Sequence, residues 1–134
     1  MRPTLRFASV GLALLAACGS EWVTEPSRIA GTYTLRTVNG QAPPRLLTAG
    51  ANSRLEITAG RMSLSPDGMA HQETDVRTTT AAQVTAGSLH SFGTYVLRGN
   101  RVIVRWNGGG SDNMPLSGST LTQLRDGLTL VYQR

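Results

Sequence analysis

The chain has 134 residues, eight acidic side chains against thirteen basic ones, and a formal charge of +5. There is no lysine, no run of arginines, and no interleaving of arginines with aromatics, so the footprint of a nucleic-acid groove is missing. The length suits one small domain with a single core, and a single cysteine excludes an internal disulfide.

Arg2 and Arg6 precede an uncharged apolar run, Phe7 to Ala17. That run is too short to span a bilayer as a helix but fits the hydrophobic stretch of a signal peptide. Small residues lead into the sole cysteine, and Leu15-Ala16-Ala17-Cys18 resembles a bacterial lipobox. The resemblance implies cleavage before Cys18, a diacylglyceryl group on its thiol, and often acylation of the new amine. Each buried methylene contributes about 0.8 kcal/mol, so one acyl chain holds weakly and two or three hold stably. Two other readings stay open: an ordinary secretory signal cut just after Cys18, and a retained N-terminal anchor. Gly19 stands where, by the same resemblance, an aspartate favours the inner membrane. The expected location is therefore the cell envelope, lipid-anchored in the outer membrane and facing the periplasm. Ser20 to Ile29 is polar, contains Pro26 and reads as a tether. The division expected is a signal peptide at 1–17, a lipidated cysteine and tether at 18–29, and a folded domain at 30–134.

From Gly31 onward, short alternating runs are separated by turn residues, and no helix-length amphipathic segment occurs. Gly31 to Val38 puts Tyr33, Leu35 and Thr37 on one side, and Asn39-Gly40 reads as a tight turn or the start of the Pro43-Pro44 loop. Arg45 to Thr48 is a short edge strand or a single helical turn. Ser53 to Ala59 and Arg61 to Ser65 alternate on either side of Gly60, and Pro66-Asp67-Gly68 is a strong turn. Met69 to Thr79 is a polar, threonine-rich strand expected at an exposed edge, and Ala81 to Ser88 is ambiguous. Gly93 to Arg98 and Arg101 to Trp106 make a hairpin across Gly99-Asn100. Asn107 to Asn113 is a glycine-rich, flexible loop. Leu116 and Ser119 to Leu124 follow, and Asp126-Gly127 turns into Leu128 to Gln133.

The hexapeptide GTYTLR at Gly31 returns as GTYVLR at Gly93. Both are strand starts under the same demands: glycine permits a sharp entry, threonine favours extension, and Tyr and Leu fill an inner face. About eight strands with one apolar face close into a small barrel, which removes exposed edges. The fold expected is all-β, an antiparallel up-and-down barrel.

On Gly31-Thr32-Tyr33, the turn in SPDGM, the hairpin GTYVLRGNRVIV and the closing DGLTLVYQR, the segment from Ile29 to Arg134 resembles the lipocalin-like lipoproteins of bacteria. Tyr33 stands where true lipocalins carry a tryptophan. The resemblance implies a β-barrel that holds a small apolar ligand or lipid.

Catalytic patterns are missing. Glu56 and Glu73 alternate with core residues and are expected to face water, so they do not form a carboxylate pair. His71 and His90 lack a third ligand at suggestive spacing and read as solvated. No nucleophile elbow occurs, and Asn107-Gly-Gly-Gly lacks the lysine of a phosphate loop. No enzyme, cofactor, metal or nucleic-acid partner is expected. The candidate cavity lining is Tyr33, Tyr95, Trp106 and Tyr132, with the loop at 107–113 at the mouth, although the same aromatics also suit a simply filled interior. The alternative is a protein-interaction or inhibitor module that docks through loops or the polar edge at 69–79. For that purpose Arg36, Arg98, Arg101 and Arg105 are either a cationic stripe or solvated outward positions.

Overall fold

The computed structural model of the chain describes residues 26–134. The strands are β1 (Gly31–Val38), β2 (Arg45–Ala49), β3 (Ser53–Leu64), β4 (Met69–Thr80), β5 (Val84–Arg98), β6 (Arg101–Trp106), β7 (Ser111–Ser117), β8 (Thr120–Arg125) and β9 (Leu128–Gln133). From β3 to β9 each strand pairs with the next, β9 pairs with β1, and β1 returns to β3. Eight antiparallel strands therefore close an all-β barrel, and β2 is an additional strand.

β1 and β2 share one edge of β3. β1 takes its C-terminal end, with Gly31 opposite Leu64 and Thr34 opposite Arg61. β2 takes its N-terminal end, with Arg45 opposite Ile57 and Ala49 opposite Arg54. Closure thus happens at one end of β3, while β2 covers the same edge at the other end. The local code for the connections is plain. Asn39-Gly40 and Asp126-Gly127 both hold positive φ at two successive residues, the backbone that matches the twist of a two-residue hairpin.

Alternation places one face of each strand inside. Tyr33, Met62, Val102, Val104, Met114, Leu121 and Tyr132 have no solvent exposure and fill one end of the barrel. A 3-10 turn at Pro26–Arg28 caps that end, and Ile29 is buried beneath it. Two tyrosines tie the cap down. Tyr33 donates its hydroxyl to the Ile29 carbonyl at 2.7 Å, and Tyr95 donates to the Ser65 carbonyl at 2.6 Å with the Pro26 carbonyl 3.2 Å away. The last residues of the expected tether are therefore part of the packed body.

Several sequence expectations change. A register shift between Leu35 and Thr37 turns Val38 inward in place of Thr37. Gly60 does not end a strand: it lies within β3 opposite Thr74, where its missing side chain makes room for Leu35. β4 is not an edge, since it is paired along its whole length with β3 on one side and β5 on the other. The ambiguous segment belongs largely to β5, which begins at Val84. The loop after Trp106 is short, because β7 already begins at Ser111. Segment 45–48 is a strand.

Candidate functional site

The end of the barrel opposite the cap is open. A cavity of about 450 Å³ lies there, lined by Leu47 of β2, Leu55 and Ile57 of β3, Val76 of β4, Leu89 of β5, and Leu128 and Leu130 of β9. Its polar lining is Gln72 and Thr74 of β4, Ser91 of β5, Arg125 of β8 and Asp126 in the β8–β9 turn. The cause lies in the inward residues. Along β4 they run Ala70, Gln72, Thr74, Val76, and along β5 they include Leu89, Ser91 and Gly93; at the cavity level Thr74, Val76 and Ser91 are too short to fill the axis.

Gln72 sits at the junction of the cavity and the packed end. Its amide nitrogen donates to Gln123 Oε1 and to the Tyr132 hydroxyl, both at 2.8 Å. Gln123 in turn donates to Asp112 Oδ2 at 2.7 Å, and Trp106 Nε1 donates to the same oxygen at 2.7 Å. Arg125 Nη1 reaches Gln72 Oε1 at 3.3 Å, and its guanidinium lies 5.7 Å from the Trp106 ring centroid. Gln72 and Gln123 are buried, and each pairs its amide within this belt, as buried polar groups require. Burial pushes the Tyr132 phenol up to about 12, an effect partly offset by the hydrogen bond from Gln72.

None of the four aromatics expected to line a cavity borders this one. Tyr33 and Tyr132 are fully buried, and Tyr95 and Trp106 nearly so. A large ring occupies volume, so these residues fill the capped end and the mid-section instead. Of the glycine-rich loop, Asn107, Gly108 and Gly109 border a shallow groove that shares Ser91 and Arg125 with the cavity. Cys18 and the signal peptide lie outside the described residues.

The other singled-out residues separate as follows. Glu56 is buried, not solvated: Arg77 holds its Oε2 at 2.7 Å and Arg54 its Oε1 at 2.9 Å. The hydrogen bond from Arg77 keeps its carboxyl below the usual glutamate range. Glu73 pairs with Arg61 at 2.8 Å. His71 and His90 come together on the outer face of β4 and β5, with ring nitrogens 3.1 Å apart and Phe92 stacked on His71 at 4.4 Å. The sequence hid that pair because it depends on the register of β4 against β5, which sets Glu73 opposite His90 and His71 opposite Phe92. Arg98, Arg101 and Arg105 are exposed on the β5–β6 hairpin, but Arg36 lies on β1, which neighbours β9 and β3, so the four do not form one stripe.

Sequence reasoning missed Gln72 and Arg125. A usable signal was present, since alternation from Ala70 through Gln72 and Thr74 to Val76 puts one polar amide on an inward face. No family model matches the chain, and no curated protein matches it in sequence.

Proposed function

We propose that this chain is a lipid-anchored envelope protein of lipocalin-like build, whose barrel takes up a small apolar ligand or lipid without catalysing its conversion. The observation that carries the reading is the cavity of about 450 Å³ with seven aliphatic side chains in its lining. That size falls within the range of about 300–1,000 Å³ typical of small-molecule sites. The anchor reading rests on Leu15-Ala16-Ala17-Cys18. It is compatible with the barrel's orientation, because the chain reaches the body at its capped end, opposite the cavity mouth. A membrane-tethered barrel of this kind presents its mouth to the aqueous side.

Two measurements test the reading. Mass spectrometry of the protein purified from native membranes is expected to find diacylglyceryl on Cys18 and a co-purifying apolar molecule. A free chain beginning at Gly19 would end the anchor part. Fluorescence titration with N-phenyl-1-naphthylamine is expected to show saturable binding to the wild type. Val76→Phe, which projects a ring into the cavity, is expected to abolish it while leaving the fold intact by circular dichroism. Equal binding in both proteins would place the dye elsewhere and remove the cavity as the site.

One observation favours a second reading, a protein-docking module. β6 ends with Trp106 opposite Gly93, so the first half of β5, Val84 to Ser91, has no strand on its outer side. That stretch has no Asp, Glu, Lys or Arg and exposes Val84 and Leu89, the profile of an edge that accepts an added strand. A photo-crosslinking residue at Thr85 is expected to give a discrete protein adduct in intact cells if this reading holds; a monomer band alone would count against it.

A further inference from the structure

The cavity has a chemical polarity that the apolar-ligand reading leaves open. Among the described residues, Arg125 is the one cation in its lining, and the rest of the polar lining is Gln72, Thr74, Ser91 and Asp126. The guanidinium is positioned from two sides: the Trp106 ring lies 5.7 Å from its carbon, and Gln72 Oε1 accepts from Nη1 at 3.3 Å. Only one of the five guanidinium N–H donors is used by Gln72, so most remain for an incoming acceptor.

Neither nearby carboxylate accepts a hydrogen bond from this guanidinium. Asp112 accepts from both Trp106 Nε1 and Gln123 Nε2, each at 2.7 Å. Asp126 lies 4.0 Å from Arg125 Nε with its side chain 90% in water, a separation at which an exposed ion pair contributes little. The Arg125 side chain is itself only 37% exposed, at the border between the aliphatic wall and solvent. A fork of donors held at the rim of an apolar pocket fits a planar or tetrahedral oxyanion carried by a hydrocarbon body.

We propose that the ligand is an anionic amphiphile, with its apolar body against Leu55, Ile57, Val76 and Leu130 and its single acidic head group on Arg125. The assignment rests on the cavity being a binding site. It adds the sign of the head group and the residue that reads it.

A matched pair of dyes separates the two claims. N-phenyl-1-naphthylamine is neutral, and 8-anilinonaphthalene-1-sulfonate is the same ring system with one sulfonate. The wild-type full-length chain is expected to bind the sulfonate more tightly. Arg125→Met is expected to weaken the sulfonate by about tenfold or more, the scale of one charge-assisted hydrogen bond, and to leave the neutral dye unchanged. Arg125→Lys keeps the charge and is expected to recover part of the loss. Arg98→Met, on the outer wall, is expected to change neither. Dodecanoate is expected to displace the dyes at lower concentration than dodecanol. If the neutral dye binds but Arg125→Met weakens both dyes equally, or neither, the head-group assignment is wrong and the cavity reading survives. If neither dye binds the wild type, both fall together.

Discussion

Gln72 and Tyr132, sixty residues apart in the chain, share a hydrogen bond of 2.8 Å at the level where the barrel changes from packed to open. Above it lies the cavity with its aliphatic wall; below it lie the aromatic and aliphatic residues of the capped end. The bond belongs to a belt, since Gln72 also serves Gln123 and Arg125. Removing one side of the belt therefore has unequal consequences. Tyr132→Phe deletes a single hydroxyl and leaves Gln72 with Gln123, so a cost of about 1 kcal/mol is expected. Gln72→Leu removes at once the donor to Gln123 Oε1 and to the buried Tyr132 hydroxyl, leaving Gln123 its bond to Asp112, and a larger cost, about 1–3 kcal/mol, is expected. Urea denaturation of both variants checks the order. A Gln72→Leu chain as stable as the wild type would mean the belt is not a stabilising element.

The close approach of two backbones gives a sharper contrast. A Cβ at Gly93 would overlap the carbonyl oxygen of Arg105, part of the neighbouring strand rather than a side chain that can swing away. At Gly87, on the same strand, a Cβ would meet nothing within 4 Å. Gly93→Ala is thus expected to break the β5–β6 pairing and to lower the melting temperature steeply. Gly87→Ala is expected to change stability by no more than about 1 kcal/mol. Thermal melts of the two variants side by side make the comparison. The second GTYVLR start reflects this packing need: Gly93 is required by the approach of β6. At the first copy, Gly31 sits at a φ of 148° with the Arg134 side chain where a Cβ would be.

These examples show which parts of the molecule are local enough to read in the sequence. The turns at Asn39-Gly40, Pro66-Asp67-Gly68 and Asp126-Gly127 are encoded by two or three adjacent residues, and alternation marks the inward face of most strands. Strand count and class follow from those signals. The pairing of β1 with β3, the covering of the same edge by β2, and the burial of β4 between two partners depend on contacts between distant segments, and so a polar strand read as an edge turned out to be interior to the sheet. The cavity was misplaced for a related reason. Aromatic residues draw attention as ligand contacts, yet in a narrow barrel they consume the space. The opening forms where inward positions carry Thr74, Val76 and Ser91 above the Gln72 amide, and their small size is informative only once the facing strands are known.

Acid stability is expected to depend on Glu56. Its carboxyl is held below the ordinary glutamate value chiefly by the hydrogen bonds from Arg77, with Arg54 adding to the effect. A depressed folded value means the ionised form favours the folded state. The contribution is complete above the unfolded glutamate value of about 4.3 and is lost as pH falls through the lower folded value. Glu56→Gln should therefore be less stable than the wild type at pH 7, and the gap should shrink below pH 4. Urea midpoints for both proteins at pH 7, 4 and 3 check this. A gap independent of pH would assign the loss to packing rather than charge.

At alkaline pH the tyrosines provide the opposite case. All three in the chain are buried and all are shifted upward: Tyr33 by burial, opposed by the charge of Arg134, Tyr95 by burial with Tyr33 and Asp67 adding to it, and Tyr132 by burial to about 12. For an acid whose folded value is raised, the neutral form favours the folded state. Its contribution is complete below the unfolded value of about 10 and disappears as pH rises through the folded one. The native protein is accordingly expected to show little phenolate absorbance at 295 nm at pH 10, whereas the urea-unfolded chain titrates all three near that pH. Native absorbance should then appear abruptly between about pH 10 and 12, together with loss of the barrel's circular dichroism, because ionising Tyr132 places a charge beside Asp112 in the closed belt. A smooth native titration centred at pH 10 would show that water reaches these phenols and that the capped end is not sealed.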